Sequence, residues 1–197
     1  MDLIELRTDE TVFRPKGPGR SSGVHVSEII RSIENEVTKP GKRRPYDSLT
    51  SDEKRRMGAY VTGGFAWEEV IREAVVAMHL ASSDRFIPPG ELELDGIHGT
   101  PDWFDTEDWC IEEFKATWRS SRRPITQDFW HWWVQIRAYC HMLGVRTARL
   151  RVFFVNGDYR NSGPQIKMWQ ATFTPEELIM NWAMLHQHAV EKGWLHG

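Results

Sequence analysis

The sequence is poor in cysteine, has no long apolar run and carries no excess of positive charge. Its two cysteines, Cys110 and Cys140, are too few for a disulfide scaffold or a four-thiolate cluster, and both read as reduced packing residues. No stretch approaches the roughly 20 apolar residues that span a bilayer. The start, Met1-Asp2-Leu3-Ile4-Glu5-Leu6, lacks the basic-then-apolar pattern of a secretory leader. A soluble, intracellular protein with no membrane partner is the expectation. The formal net charge of -3 means that no global basic field marks a polyanion partner. Any such site has to come from local clustering or from bound metal. What the chain has in quantity is aromatic: ten tryptophans and nine phenylalanines supply rigid surface, for the core first and for base stacking second.

With 197 residues, 40% of them hydrophobic, the chain is long enough for one substantial core and short for two ordinary domains. Residues 1–23 hold Pro15, Gly17, Pro18, Gly19 and Ser21-Ser22-Gly23 and read as an extended, flexible arm; residues 24–197 read as a single domain with a helical N-terminal part. Val26 to Ile33 has helical spacing with Ser27 as N-cap, and the basic, Pro-bounded break Lys39 to Pro45 follows. Ser51-Asp52-Glu53-Lys54 opens a second helix, and Phe65 to Leu80, after Gly63-Gly64, reads as a third. Leu92 to Phe104 and Trp109 to Trp118 read as the two arms of a β-hairpin around Asp105-Thr106-Glu107-Asp108. A helix from Asp128 to Leu143 closed by Gly144, strands at Ala148 to Val155 and Gln165 to Phe173, and a helix capped by Thr174-Pro175-Glu176-Glu177 complete the order. The expected fold class is α/β, a central mixed sheet flanked by helices.

The chemistry concentrates in the hairpin. Because strand side chains alternate faces, Glu113 and Lys115 point to one side, and Glu112 and Phe114 to the other. Pairing of the arms lets Asp102 approach Glu113, and two close carboxylates either raise one another's pKa or collect a divalent cation, with oxygen ligands favouring Mg²⁺ or Mn²⁺. Such a metal lowers the pKa of bound water, and Lys115 is placed to orient or help deprotonate the attacking water.

Pro101-Asp102, eleven residues, then Glu113-Phe114-Lys115, with Gly96-Ile97-His98-Gly99-Thr100 leading in, closely resembles the motif of the PD-(D/E)XK nuclease superfamily. Gly64-Phe65-Ala66-Trp67-Glu68 resembles the helical motif that adds an acidic residue in the phage-type, lambda-exonuclease-like branch; it implies Glu68 as the third metal ligand, with Glu69 as the alternative. Gln135-Ile136-Arg137-Ala138-Tyr139 resembles the Gln-x-x-x-Tyr signature of RecB-type nuclease domains, which implies that Gln135 and Tyr139 border the active site. The resemblance implies a restriction-endonuclease-like core and a Mg²⁺-dependent DNA exonuclease of recombination, repair or phage DNA processing, in the cytoplasm of a bacterium or phage-infected host. It also leaves room for a homo-oligomer or a recombination-protein partner. Relatives with iron-sulfur clusters carry four cysteines, so no such cluster is expected here.

Each reading has a plainer rival. Asp102, Glu113 and Lys115 also suit a solvated hairpin with a cross-strand ion pair. Glu68, Glu69 and Glu73 suit an exposed acidic helix face, and Gln135 and Tyr139 the edge of an apolar one. His98 is read as a packed histidine, not a ligand. Arg119, Arg122 and Arg123 form a basic loop after the Glu-x-Lys strand that is suited to gripping DNA phosphates, or else a solvated loop; Lys42, Arg43 and Arg44 are a second such cluster. Trp67, Trp103, Trp118 and Trp130 are candidates for stacking on bases. Rival functions are a structure- or sequence-selective endonuclease, a binding module without turnover, and a hydrolase of small phosphoesters.

Overall fold

The computed structural model describes residues 21–37, 48–79, 85–160 and 163–195. The arm up to residue 20, the basic break with Lys42, Arg43 and Arg44, and Leu80 lie outside the described residues.

The central sheet has five strands in the order β2 (Phe86–Ile87), β5 (Trp103–Asp105), β6 (Cys110–Thr117), β7 (Thr147–Phe154) and β8 (Gln165–Thr172). Only β6 and β7 run parallel, so the sheet is mixed, as the sequence predicts. A parallel pair requires a crossover, and it contains α3 (Ile125–Asp128) and α4 (Trp130–Leu143). A smaller sheet joins β1 (Val24–His25), β4 (Ile97–Gly99) and β3 (Leu92–Leu94). The remaining helices are α1 (Val26–Val37), α2 (Ser51–His79) and α5 (Pro175–Glu191).

Alternation along the strands divides the buried groups between two faces. On one, Ile111, Ala148, Leu150, Val152 and Phe154 form the main core with Val26 and Ile29 of α1, Ile136 and Cys140 of α4, and Trp182 and Leu185 of α5. On the other, Phe114 and Phe153 pack with Trp103, and Trp67 of α2 lies 4.7 Å from the Phe153 ring centroid. Helices therefore lie on both faces of the sheet, α/β in class, while Ile166 and Met168 of β8 stay exposed on the second face. Both cysteines are buried and unbridged.

Local signals set the helix ends. Thr174 and Glu177 form a reciprocal capping box (3.2 and 2.8 Å) that opens α5, a device that contributes about 1 kcal/mol. Gly144, at φ 67°, closes α4 in the left-handed region. At the start of α2, Thr50 and Glu53 make the same box, one residue ahead of the predicted start. Three expectations need correction. Ser27 sits inside the first turn of α1, and it is Glu28 that accepts from the His25 backbone N–H (3.3 Å). The helices predicted on either side of Gly63-Gly64 are one continuous helix, α2, because two glycines cost only about 2 kcal/mol and packing against β6 offsets it. Leu92 to Phe104 is not one hairpin arm: the turn at Asp95 and Gly96, both at positive φ, folds β4 back on β3, and only β5 pairs with β6.

Candidate active site at the open edge of strand β6

Strand β5 pairs with β6 only over Cys110 to Glu112, with Trp103 opposite Glu112. Beyond that point the β6 edge has no strand partner on this side among the described residues, yet its buried amides still require acceptors. Phe114 and Ala116, two residues apart, donate from the same edge. The Phe114 N–H donates to Asp102 Oδ2 at 2.9 Å, and the Ala116 N–H to Glu68 Oε1 at 3.3 Å. The backbone thereby positions two carboxylates, one from the loop before β5 and one from α2, alongside the strand that carries Glu113 and Lys115.

Glu113 is buried, 2% exposed, with Oε1 accepting from Lys115 Nζ at 2.5 Å. Its other oxygen, Oε2, is buried with no hydrogen-bond partner among the described residues. Burial pushes the Glu113 carboxyl well above the ordinary carboxylate range, Lys115 pulls it down, and the charges of Asp102 and Glu68 push it up. Burial also works against the Lys115 ammonium, but Glu113, Glu68 and Asp102 outweigh it and hold the lysine above its usual value. These carboxylates favour the ammonium form of Lys115, a charge suited to orienting and stabilising negative charge.

Tyr139, on α4, completes the group. Its hydroxyl accepts from Gln135 Nε2 at 2.7 Å, so its own proton is left to donate, and burial together with Glu113 raises its pKa. Thus Glu68, Asp102, Glu113, Lys115, Gln135 and Tyr139, six residues from four segments, come to one place. Glu69 is exposed.

The sequence does not reveal how Tyr139 is seated. Gly99 of β4 lies under its ring: a Cβ at Gly99 would stand 2.8 Å from Tyr139 Cε1 and 3.0 Å from Met142 Sδ. Gly99→Ala is expected to destabilise the fold by roughly 1–3 kcal/mol through overpacking against a buried ring. Urea denaturation measures this; an unchanged midpoint would show that the ring yields freely.

A second acidic group lies on the opposite face of β6. Asp105, Cys110 and Glu112 bring potential ligand atoms within 4.8 Å of one another. Arginines already occupy it. Arg149 Nη1 donates to Asp105 Oδ2 and Glu112 Oε1, both at 3.0 Å, Arg151 Nε donates to Glu112 Oε2 at 2.7 Å, and Arg85 Nη2 donates to Asp105 Oδ2 at 2.7 Å. Burial works against ionisation of Asp105, but Arg85 and the amides of Asp108 and Glu107 hold its pKa below the usual value. Burial pushes the Cys110 thiol up to about 11, which disfavours its thiolate form. Adjacent glutamates thus have opposite fates: Glu112 is neutralised by guanidinium, while Glu113 keeps an oxygen without a hydrogen bond.

The basic loop begins where β6 ends. Arg119 Nη1 donates to the Asp128 carbonyl (3.1 Å), Arg123 pairs with Asp128 (2.9 Å), and all three of Arg119, Arg122 and Arg123 are exposed. His98 faces away from the site, tilted over His25 with ring centroids 5.4 Å apart.

No protein-family model and no curated protein sequence matches the chain. Its fold matches solved exonucleases. A phage-related exonuclease from Haemophilus somnus 129PT superimposes with a TM-score of 0.50 at 13% identity, over 83% of this chain and 78% of that one. An alkaline exonuclease from Laribacter hongkongensis, LHK-Exo, gives 0.51 at 13% identity, over 86% and 87%. The same enzyme in complex with dAMP gives 0.52. The chain therefore has the fold of the phage-type exonucleases, the fold its motifs imply. No described helix is long and apolar enough to cross a membrane.

Proposed function

We propose that the chain is a divalent-metal-dependent DNA nuclease whose active site is Asp102, Glu113, Lys115 and Glu68, bordered by Gln135 and Tyr139. The observation that carries this reading is the buried Glu113 Oε2, which lacks a hydrogen bond among the described residues although it stands beside two further carboxylates. Leaving such an oxygen unsatisfied is costly, and a cation among Asp102, Glu113 and Glu68 removes the cost. The donor set is all oxygen, which fits Mg²⁺ or Mn²⁺. A divalent ion held there supplies Lewis acidity toward water and toward a phosphate oxygen.

The chain's own residues supply the rest. Lys115, fixed as a cation on the same face as Glu113, orients the attacking water and balances charge that builds on the phosphate. Tyr139, its oxygen engaged by Gln135, offers its proton as a hydrogen-bond donor at the border of the site. Arg119, Arg122 and Arg123 follow Lys115 in the chain and are exposed where a phosphate backbone leaving the site would meet them.

Exonuclease action is supported by the fold shared with exonucleases, and a place in DNA recombination, repair or phage DNA processing rests on the motif resemblance alone. An endonuclease built on the same core is the alternative. Purified protein is expected to degrade linear duplex DNA with Mg²⁺ or Mn²⁺, to lose activity in excess EDTA, and to leave closed circular DNA intact. Cleavage of the circle would replace the exonuclease reading with the endonuclease one. Cleavage undiminished by EDTA would remove the metal, and no cleavage of any DNA would overturn the nuclease assignment.

A further inference from the structure

Two tyrosines near the end of β6 are held in place although both are exposed. Tyr60 of α2 and Tyr159, in the turn after β7, are 58% and 60% exposed. Side chains so exposed are ordinarily free to rotate, and these are tied to one residue, Trp118. The Tyr60 ring stands edge-on to the Trp118 ring, with centroids 5.6 Å apart at 74°. The Tyr159 hydroxyl donates to the Trp118 carbonyl, which Asn156 Nδ2 also approaches at 3.3 Å. The Tyr159 backbone sits at φ 64°, a conformation unfavourable for an aromatic residue and maintained by the turn around it. Trp118 is itself seated against Gly63 of α2, where a Cβ would come within 3.2 Å of its ring.

The same two elements build the active site. The helix that brings Glu68 to the Ala116 amide brings Tyr60 to Trp118, and Trp118 lies three residues beyond Lys115 on the β6 chain. At about 3.3 Å per extended residue that is roughly 10 Å. A stacked strand at about 3.4 Å per nucleotide covers that distance in about three nucleotides. Exposed arginines adjoin the rings in sequence: Arg119 follows Trp118, and Arg160 follows Tyr159. Exposed aromatic side chains beside guanidinium groups suit bases and phosphates of a single strand, because every base has a π-face and every nucleotide a negative charge.

We propose that Tyr60 and Tyr159, braced against Trp118, form a stacking platform for the unpaired bases of a DNA strand running from the Glu113 site, with Arg119 and Arg160 on its phosphates. The choice of DNA as occupant rests on the nuclease reading. Pre-set ring orientation reduces the ordering cost of binding, which is the physical use of the hydroxyl tether and the strained turn.

The test is fluorescence anisotropy of the full chain with a labelled single-stranded DNA of about 12 nucleotides, in EDTA so that nothing is cut. Tyr60→Ala and Tyr159→Ala are each expected to raise Kd about tenfold, and Tyr60→Phe, which keeps the ring, to bind like the native protein. The native protein is expected to bind an oligonucleotide with consecutive abasic sites about tenfold more weakly, and this arm needs no variant to fold. Kd values within about a factor of two for both alanine variants, or equal affinity for abasic and intact DNA, would overturn the platform. Cleavage of linear duplex in Mg²⁺ by the native protein is read separately. Base-dependent binding without cleavage keeps the platform and sinks the nuclease reading; cleavage with base-independent binding does the reverse.

Discussion

Lys115→Ala is expected to lower DNA cleavage by roughly 10²- to 10⁴-fold while leaving the fold intact, the range typical for removing a group that stabilises charge or positions a proton in a transition state. The native ammonium lies 2.5 Å from Glu113 Oε1 and feels the charges of Glu68 and Asp102 as well. Without it, the buried Glu113 carboxyl shifts further toward its protonated form in the metal-free protein, because burial already pushes it that way. Metal binding is expected to respond in the opposite sense, since removing a positive charge beside three carboxylates removes repulsion of a divalent ion. Calorimetric titration with Mn²⁺ should show affinity at least equal to that of the native protein. Asp102→Asn is the contrasting variant. Its amide oxygen can still accept from the Phe114 N–H, which keeps the loop in place, but one charge is lost and Mn²⁺ affinity should fall. Cleavage by the Lys115 variant within tenfold of native, or unchanged Mn²⁺ affinity in the Asp102 variant, would remove that residue from the site.

Arg149→Met is expected to destabilise the protein by about 3–5 kcal/mol, the usual cost of removing one partner from a buried ion-pair cluster. Arg149 donates to Asp105, Asp108 and Glu112, and Asp105 and Glu112 are completely buried. Burial works against its charge, but Asp108 and Glu112 outweigh it and raise its pKa above the usual arginine value. Methionine conserves length and leaves Glu112 with Arg151, and Asp105 with Arg85, as their guanidinium partners among the contacts described here. Lysine is not expected to restore the loss, because a single ammonium cannot span three carboxylates as a planar guanidinium does. Urea denaturation followed by circular dichroism reads the change. A loss below about 1 kcal/mol would show that solvent reaches the cluster and screens it. Because the cluster lies on the sheet face opposite Glu113, activity of the folded fraction should remain near native.

Much of the candidate site was legible before the fold. Glu113 and Lys115 share a face because strand alternation requires it, and Asp102 falls one step beyond the last β5–β6 pair, next to Glu113 in register. Gln135 and Tyr139, four residues apart on α4, meet as helical spacing demands. Glu68 could be narrowed to a choice with Glu69, but its selection depends on which side of α2 meets β6. The roles of Glu112 and Arg149 were not legible. Both are charged residues in strands, and only the β6–β7 register, which sets Glu112 opposite Arg149, turns two apparently unfavourable burials into a pair. Gly99 carries no signal of its function in sequence, because the ring it accommodates lies forty residues away. Tyr60 and Tyr159 are likewise ordinary until Trp118 joins them.

The amino-acid sequence by itself determined the elements that depend on near neighbours: the caps at Thr174 and Gly144, the alternation in β6, the helical pair on α4 and the motif chemistry of carboxylates with a lysine. Backbone geometry acts over a few residues, and these signals are written at that range. Tertiary structure alone decided that β5 stops pairing at Glu112 and leaves two β6 amides for Asp102 and Glu68 to accept. It also decided that α2 runs through two glycines, and that Glu112 is neutralised by arginines while Glu113, its neighbour, keeps a buried oxygen without a hydrogen bond. Those outcomes depend on burial and on partners distant in sequence, and desolvation acts on a carboxylate only once the packed chain excludes water from it.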